Sequence, residues 1–311
     1  MRAFIFPGQG SQAVGMGKAL AEASNTAREV FQEVDHALEQ NLFQLMCEGP
    51  EDELTLTENA QPAIMANAIA TLRVMEKEGG KPMADLCTYV AGHSLGEYTA
   101  LCAAGALDLT TTAELLKLRG QSMQKAVPVG EGGMAALLGA DIKKAASLAK
   151  AVAQGDICTV ANDNDPTQVV ISGHMAAIER AIALVKEHEI KRGVLLPVSA
   201  PFHCSLMQPA AEAMEEALAE ASILPPAVPV FANVTADAVT DTDEIRQLLV
   251  EQVTGTVRWR ESVLNLFEAG VEQFVEFGGK VLGGMVKRIN KEVQTTSLIA
   301  MDDIEGFLKD I

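Results

Sequence analysis

One serine of the chain lies in a pattern typical of an enzyme nucleophile. Gly92-His93-Ser94-Leu95-Gly96 follows an apolar, β-prone segment (residues 86–90) and precedes a run that continues like a buried helix (residues 101–104). A G-x-S-x-G turn between a strand and a helix lifts the serine hydroxyl to the helix N-terminus, where unpaired N–H groups can stabilise an anion. The pattern predicts that Ser94 is a nucleophile and that the N–H of Leu95 is an oxyanion donor. A serine that only caps the helix is the alternative.

A serine nucleophile needs a base, and the five histidines of the chain can be compared by elimination. His93 neighbours Ser94 but should project away from it at the turn. His203 lies in a short, proline-bearing junction loop, where catalytic side chains are usually presented. The remaining three are predicted on helices elsewhere: His36, His174 and His188. His203 is therefore the favoured base, and a surface loop histidine is the alternative.

A glycine-rich turn follows the first predicted strand (residues 2–6). Its sequence, PGQGSQ at residues 7–12, formally fits the dinucleotide-binding fingerprint. That fingerprint requires a second strand that ends in an acidic residue roughly 20 residues later, whereas a helix is predicted here. We therefore reject a nucleotide site and favour the backbone N–H of Gln9 as a second oxyanion donor. An ordinary strand-to-helix turn is the alternative.

Arg119 lies within the predicted helix 110–126, on a stripe of small or apolar side chains. A guanidinium on a core-facing stripe favours a carboxylate or phosphate ligand, which it can bind through two parallel hydrogen bonds. The alternative is an arginine that extends to solvent or pairs with a structural aspartate. From spacing alone, this alternative is slightly favoured.

The composition excludes several classes of function. The 311 residues are 48% hydrophobic and 21% charged, and no apolar run reaches the length of about 20 residues that a membrane span requires. The N-terminus is too short and strand-like for a signal peptide. Five scattered cysteines without a CxxC pair favour reduced thiols in a cytoplasmic protein without a metal site. The net charge of −18 opposes binding to nucleic acid.

The order of predicted elements indicates an α/β protein with an inserted domain. Residues 133–198 read as β-α-β-β-α-β, which is the ferredoxin-like split motif. Within it, the polar segment 162–166 is predicted as a turn between two β-like runs. The expected architecture is a large α/β-hydrolase-like domain (residues 1–128 and 199–311) with a central, mostly parallel sheet, and a small ferredoxin-like domain (residues 129–198).

Five segments together resemble the malonyl-CoA:acyl carrier protein transacylase family, in the family's order and over nearly the full chain. They are PGQGSQ, GHSLGEY, LRGQSMQ, APFHCSLM and FGGKVLGGMVKRI. The resemblance implies the same fold and a two-step transfer of malonyl groups from malonyl-CoA to acyl carrier protein, through a malonyl-serine ester, for fatty acid synthesis. It also implies a monomer without a bound cofactor that meets the carrier protein only transiently.

The resemblance also implies roles for individual residues. Ser94 would be acylated, and His203 would act as base and then as acid. Arg119 would bind the malonyl carboxylate, and Gln9 and Leu95 would supply the oxyanion N–H groups. The backbone carbonyl of Gln252 would orient the histidine, which explains the lack of an obvious triad acid. The other predicted substrate-binding residues are Phe202 and Asn162. The residue types at Leu95 and Phe202 resemble those of malonyl-selective acyltransferase domains.

The chain departs from the family pattern at Gly279 and Thr256, where many members have proline. Both lie at predicted turns, so we expect altered loop stiffness and unchanged chemistry.

Because the carrier protein is acidic in this family, docking requires a local basic patch. The candidates for this patch are Lys191, Arg192, Lys287 and Arg288. The alternative functions are a serine thioesterase or esterase, which would need a triad acid near His203, an acyltransferase of different acyl specificity, and a silent binding domain of a larger synthase.

Overall fold

The computed structural model describes residues 1–310. The strands are β1 (Arg2–Phe6), β2 (Tyr89–Gly92), β3 (Gly132–Leu138), β4 (Cys158–Asp165), β5 (Gln168–His174), β6 (Arg192–Leu195), β7 (Val230–Ala232), β8 (Asp237–Val239), β9 (Gln273–Phe277) and β10 (Gln294–Leu298). The helices are α1 (Lys18–Ala23), α2 (Asn25–Ala37), α3 (Leu42–Glu48), α4 (Glu51–Thr55), α5 (Thr57–Gly79), α6 (Leu95–Ala103), α7 (Leu109–Lys125), α8 (Ile142–Ala153), α9 (Met175–Leu184), α10 (Gln208–Glu220), α11 (Thr242–Thr254), α12 (Trp259–Glu268), α13 (Leu282–Ile289) and α14 (Met301–Lys309). None of these helices has the length and apolar character needed to cross a membrane.

The larger sheet has six strands in the order β10-β9-β1-β2-β7-β8, and all pairs are parallel except β7 with β8. Successive side chains of β1 point to opposite faces. Phe4 and Phe6 therefore pack into the core that contains α5, whereas Ala3 and Ile5 pack with the core of α12 and α13. With helices on both faces, the central strands are apolar throughout, as expected for a parallel sheet.

The smaller sheet is antiparallel, with the strand order β4-β5-β3-β6. Helices α8 and α9 pack on one face through a separate apolar cluster that includes Leu137, Leu148, Ile171 and Ile178. The order of elements, β-α-β-β-α-β, is the ferredoxin-like motif. The expected fold class, a mostly parallel central sheet with a small antiparallel sheet inserted, is confirmed.

Residues 162–165 of the predicted turn 162–166 are strand, so the sequence prediction is wrong there, and only Pro166 lies in the turn that precedes β5. Strand β4 continues to Asp165, with irregular register after Val160 and after Asp163. Its outer edge pairs with Val257, which donates from N to the carbonyl of Ala161 and accepts from the N of Asp163, both at 2.9 Å. Backbone pairing on both sides explains why a run of four polar residues remains extended.

Two helix ends also differ from the sequence prediction. The single helix expected at about residues 18–39 is two helices, because Ser24 has an extended backbone and caps α2 by accepting from Ala27 N at 3.5 Å. Asp108, rather than the threonine run, caps α7 through Thr111 N at 2.6 Å. The short strands β8 and β10 and the helix α14 were not predicted.

Candidate active site

Ser94 lies at the sharp turn between β2 and α6, with φ 53° and ψ −111°. The turn requires both flanking glycines. A Cβ on Gly92 would lie 1.8 Å from the carbonyl oxygen of Gly96, and a Cβ on Gly96 would lie 2.3 Å from that of Phe6. The side chain of Ser94 makes no capping hydrogen bond to α6. The hydroxyl is therefore free for contacts outside the helix.

The hydroxyl of Ser94 contacts the imidazole of His203, with 2.8 Å between Oγ and Nε2. On the other side of the ring, Nδ1 lies 2.8 Å from the backbone oxygen of Gln252. Because a carbonyl oxygen only accepts, Nδ1 carries the ring hydrogen and Nε2 presents its lone pair to the serine. The tautomer needed for a general base is thus set by the backbone of α11.

Burial controls the charge of His203, which is 4% exposed. Loss of solvation, and after it the positive charge of Arg119, together lower its pKa to about 3. The imidazole is therefore neutral at physiological pH and able to accept a proton.

Arg119 is also buried, at 1% exposure, and it neither reaches solvent nor pairs with an aspartate. Its NH2 group donates to Ser94 Oγ at 3.1 Å and to Gln252 Oε1 at 2.8 Å, and its NH1 donates to Gln61 Oε1 at 2.9 Å. Within residues 1–310 the guanidinium forms no ion pair with a carboxylate. Because this buried cation is hydrogen-bonded only to neutral groups, its charge is not neutralised by a partner. It can therefore bind an anionic ligand beside Ser94.

The backbone N–H groups of Gln9 and Leu95, which lie at the site, have no acceptor among residues 1–310. Gln9 follows β1 and Leu95 begins α6 after β2, and these two strands are neighbours in the sheet. The carboxyl ends of adjacent parallel strands therefore bring both loops to the same place. These two N–H groups can donate hydrogen bonds to the oxyanion that forms when Ser94 attacks a carbonyl carbon.

A cavity of about 250 Å³ opens over these groups. Its wall includes Phe202 and Asn162 and the apolar side chains of Met123 and Met134, so the site combines polar reacting groups with a largely apolar wall. A larger open groove of about 810 Å³ lies at the amino ends of the strands, and none of the predicted site residues lines it. Among residues 1–310 no cluster of potential metal ligands occurs.

The structure brings the predicted site residues together, and seven of them line this cavity: Gln9, Ser94, Leu95, Arg119, Asn162, Phe202 and His203. The eighth, Gln252, lies behind them and contacts His203 and Arg119. His93 also lines the cavity, but its Nε2 lies 2.8 Å from Asn164 Oδ1, and it makes no hydrogen bond to Ser94 Oγ. None of the four basic docking candidates lines the cavity, and Arg288 is paired with Asp165 at 2.7 Å.

Sequence reasoning missed several polar residues that contact the predicted ones, among them Gln61, Glu97 and Asn233. Each is buried in an element that its apolar pattern already assigned to the core. A buried polar side chain needs a partner, and this requirement was the available signal. Glu97, two residues beyond Leu95 in the motif, could have been found in this way.

Comparison with known proteins supports the chemical interpretation of the site. The acyl transferase domain family matches residues 3–285. The malonyl CoA-acyl carrier protein transacylase of Bacillus subtilis is 45% identical over 305 residues, which are 97% of this chain and 95% of that protein. The crystal structure of an acyl-carrier-protein-S-malonyltransferase from Bartonella henselae matches with a TM-score of 0.97 at 50% identity, covering 99% of this chain and 98% of that one. A malonyl-transacylase in complex with its type II PKS acyl-carrier protein matches at 39% identity with a TM-score of 0.96, covering 100% and 99% of the two chains.

Proposed function

The chain belongs to the acyl transferase domain family, among the malonyl CoA-acyl carrier protein transacylases, and we propose that it transfers malonyl groups from malonyl-CoA to acyl carrier protein for fatty acid synthesis. The observation that carries the proposal is the position of one hydroxyl. Ser94 Oγ lies 2.8 Å from the lone pair of His203 and 3.1 Å from the guanidinium of Arg119. A nucleophile, its base and a cation for the acyl carboxylate thus converge on one atom.

The first half-reaction forms a malonyl-serine ester. His203 Nε2 takes the hydroxyl proton while Ser94 Oγ attacks the thioester carbon of malonyl-CoA. The N–H groups of Gln9 and Leu95 stabilise the oxyanion of the tetrahedral intermediate. The carbon–sulfur bond then breaks, and the proton on His203 passes to the departing CoA sulfur.

The second half-reaction moves the malonyl group to the carrier protein. The pantetheine thiol gives its proton to His203, and its sulfur attacks the ester carbon. The same two N–H groups hold the second oxyanion. The carbon–oxygen bond to Ser94 breaks, and His203 returns the proton to Oγ, which regenerates the free enzyme.

Acyl selectivity is assigned to Arg119 together with the cavity wall. A carboxylate at the far end of the acyl chain can pair with the guanidinium, which an acetyl group cannot do. Phe202 and Leu95 limit the room for a branched acyl chain, and Asn162 supplies a polar contact on the side of the smaller sheet. Acyl chains held in an apolar cavity are also shielded from water, which favours transfer over hydrolysis.

The proposal includes the molecular setting of the reaction. Each step uses only side chains and backbone of this protein, so no bound cofactor is part of the mechanism. The five cysteines are free thiols, which suits a monomer working in a reducing cytoplasm. Carrier protein and malonyl-CoA are the partners that the reaction requires.

The test is intact-mass spectrometry after brief mixing with malonyl-CoA, followed by addition of acyl carrier protein. We expect a malonyl-sized adduct on the wild-type protein, its absence in Ser94→Ala, and its transfer to the carrier. Arg119→Ala, tested with malonyl-CoA and acetyl-CoA, should lower the malonyl-over-acetyl ratio of labelling rates about 100-fold, because a charged, bidentate contact is lost.

Each contrary result identifies another function. An adduct that disappears into water without reaching the carrier indicates a thioesterase. The complete absence of an adduct on correctly folded wild-type protein indicates a binding domain. Arg73, which pairs with Glu33 at the surface, provides the matched control: Arg73→Ala should leave the ratio unchanged.

A further inference from the structure

Glu97 is a buried carboxylate that the reaction steps above do not use. It is 3% exposed and belongs to the first turn of α6, three residues after the nucleophile. An acidic residue at this position often bonds the N–H of the residue that starts its own helix. Here Asn233, the residue after β7, takes that place, since its Oδ1 accepts from Ser94 N at 2.8 Å. The carboxylate of Glu97 is therefore available for a different contact.

The carboxylate reaches across to α11. Glu97 Oε2 accepts from Gln252 Nε2 at 2.8 Å and from the backbone N of Asn233 at 2.9 Å. Gln252 Nε2 also donates to Ser94 O at 3.0 Å. These neighbours of Nε2 are oxygen acceptors, whereas the neighbour of Oε1 is a donor, Arg119 NH2 at 2.8 Å. Glu97 thus selects one orientation of the Gln252 amide, with its oxygen towards the guanidinium.

Gln252 is fully buried and contacts three parts of the site at once. Its side-chain oxygen holds Arg119, its side-chain nitrogen holds the backbone of Ser94, and its backbone oxygen holds His203. A shift of this residue would therefore displace the nucleophile, the base and the carboxylate-binding cation together. Displacements of about 1 Å are enough to lower rates by about 100-fold in preorganised sites.

The other buried carboxylates of residues 1–310 have different roles. Asp163 pairs with Arg260, Asp165 pairs with Arg288, and Glu276 accepts from three backbone N–H groups at the start of α13. Only Glu97 contacts a residue of the candidate site. When it is ionised, its charge also lies close enough to Arg119 to oppose the loss of solvation there without bonding to it. The guanidinium can therefore keep a free face for the substrate.

We propose that Glu97 is a positioning residue, which acts through the side-chain amide of Gln252 to fix Arg119 and His203 around Ser94. The proposal rests on the proposed malonyl transfer and adds a residue to its machinery. The carboxylate takes no part in proton transfer. It performs, through a neutral amide, the orienting task that a triad acid performs by direct contact with histidine.

Two near-isosteric substitutions separate the hydrogen bond from the charge. Glu97→Gln keeps an acceptor oxygen in place and removes the charge. Glu97→Asp keeps the charge but withdraws the oxygens by one methylene. The measured quantity is the malonyl-over-acetyl ratio of serine labelling rates by intact mass. The amount of folded protein cancels in this ratio, so a purely structural role would leave it unchanged.

We expect the ratio to stay within about threefold of wild type in Glu97→Gln and to fall about tenfold in Glu97→Asp, since one hydrogen bond to a charged group is lost. Glu276→Gln, an equally buried acid outside the site, should not change the ratio. In Gln252→Met, which retains the backbone carbonyl, the further substitution Glu97→Asp should have no additional effect.

The proposal is overturned by an unchanged ratio in Glu97→Asp, by an equal fall in both single variants, or by an undiminished effect of Glu97→Asp in the Gln252→Met background. These outcomes differ from a failure of malonyl transfer itself. In that case the wild-type protein would form no malonyl adduct, and no ratio could be measured.

Discussion

At the residue scale, the charge of Arg119 and the basicity of His203 are linked. Burial and the nearby guanidinium together lower the pKa of His203 to about 3, which keeps the ring neutral but makes it a weak base. A malonyl carboxylate on Arg119 would cancel part of this positive charge and raise the pKa of the bound enzyme's histidine. An acetyl group has no such charge. We therefore expect the guanidinium to favour malonyl both in binding and in proton transfer.

The low pKa of His203 predicts the pH dependence of serine acylation. An ordinary histidine has a pKa of about 6.5, so its base form is lost on acidification through that pH. Here the base form persists to about pH 3. We expect kcat/KM for malonyl-pantetheine, which lacks the titrating phosphates of CoA, to show no inflection near pH 6.5 between about pH 5 and pH 8.

Glu97, in contrast to His203, has a pKa within this range, raised to about 7 by burial. The Glu97→Gln variant is therefore the control. An inflection that persists in that variant would contradict a histidine of low pKa. An inflection that disappears there would belong to the carboxylate.

At the element scale, the turn between β2 and α6 is tightly constrained, because the start of α6 packs directly against the end of β1. Gly96 and Gly306 both lie in helices, α6 and α14, where alanine is preferred over glycine by about 1 kcal/mol. A Cβ on Gly306 would meet no atom within 4 Å, whereas one on Gly96 would lie 2.3 Å from the carbonyl oxygen of Phe6. The same substitution should therefore have opposite effects at the two positions.

We expect Gly306→Ala to raise the free energy of unfolding by about 0.5–1 kcal/mol and Gly96→Ala to lower it by about 2 kcal/mol. The clash also pushes the loop of Gln9 away, so Gly96→Ala should slow serine acylation about 100-fold through loss of an oxyanion donor. Urea unfolding and the mass assay measure the two effects. A Gly96→Ala protein as stable and as active as wild type would contradict the packing argument.

The elements that the sequence predicted well are those whose periodic pattern agrees with their burial. Strand β1 has the predicted bounds, and the G-x-S-x-G turn carries its own geometry. The prediction of a turn at residues 162–165 failed because asparagine and aspartate favour turns locally. The side chains that hold these residues in a strand belong to Arg260, Arg288 and His93, which are far away in the chain. Glu97 was missed for a similar reason, since its partners lie about 140 and 155 residues later.

At the scale of the whole molecule, the polar end of β4 joins the two sheets. Asp163 pairs with Arg260 at 2.8 Å, Asp165 pairs with Arg288 at 2.7 Å, and Asn164 lies 2.8 Å from His93 in the turn between β2 and α6. Thr256, where the family often has proline, adds a hydrogen bond from its Oγ1 to Val160 O at 2.8 Å. Because Asn162 of the same strand lines the cavity, this joint also sets the position of one cavity wall.

We expect the free energy of unfolding to respond non-additively when the two partners of the Asp163–Arg260 ion pair are replaced. Asp163 is 2% exposed, so Arg260→Met leaves a carboxylate buried without its main partner and should lower the free energy of unfolding by about 3 kcal/mol. Replacing the aspartate as well, in Arg260→Met with Asp163→Asn, removes the stranded charge and should restore more than half of that loss. The exposed pair Arg73–Glu33 gives the comparison, since Arg73→Met should cost less than about 1 kcal/mol. Urea unfolding of the four proteins decides the matter: equal losses for Arg260→Met and the double variant would show that burial of the charge does not govern the stability of the joint.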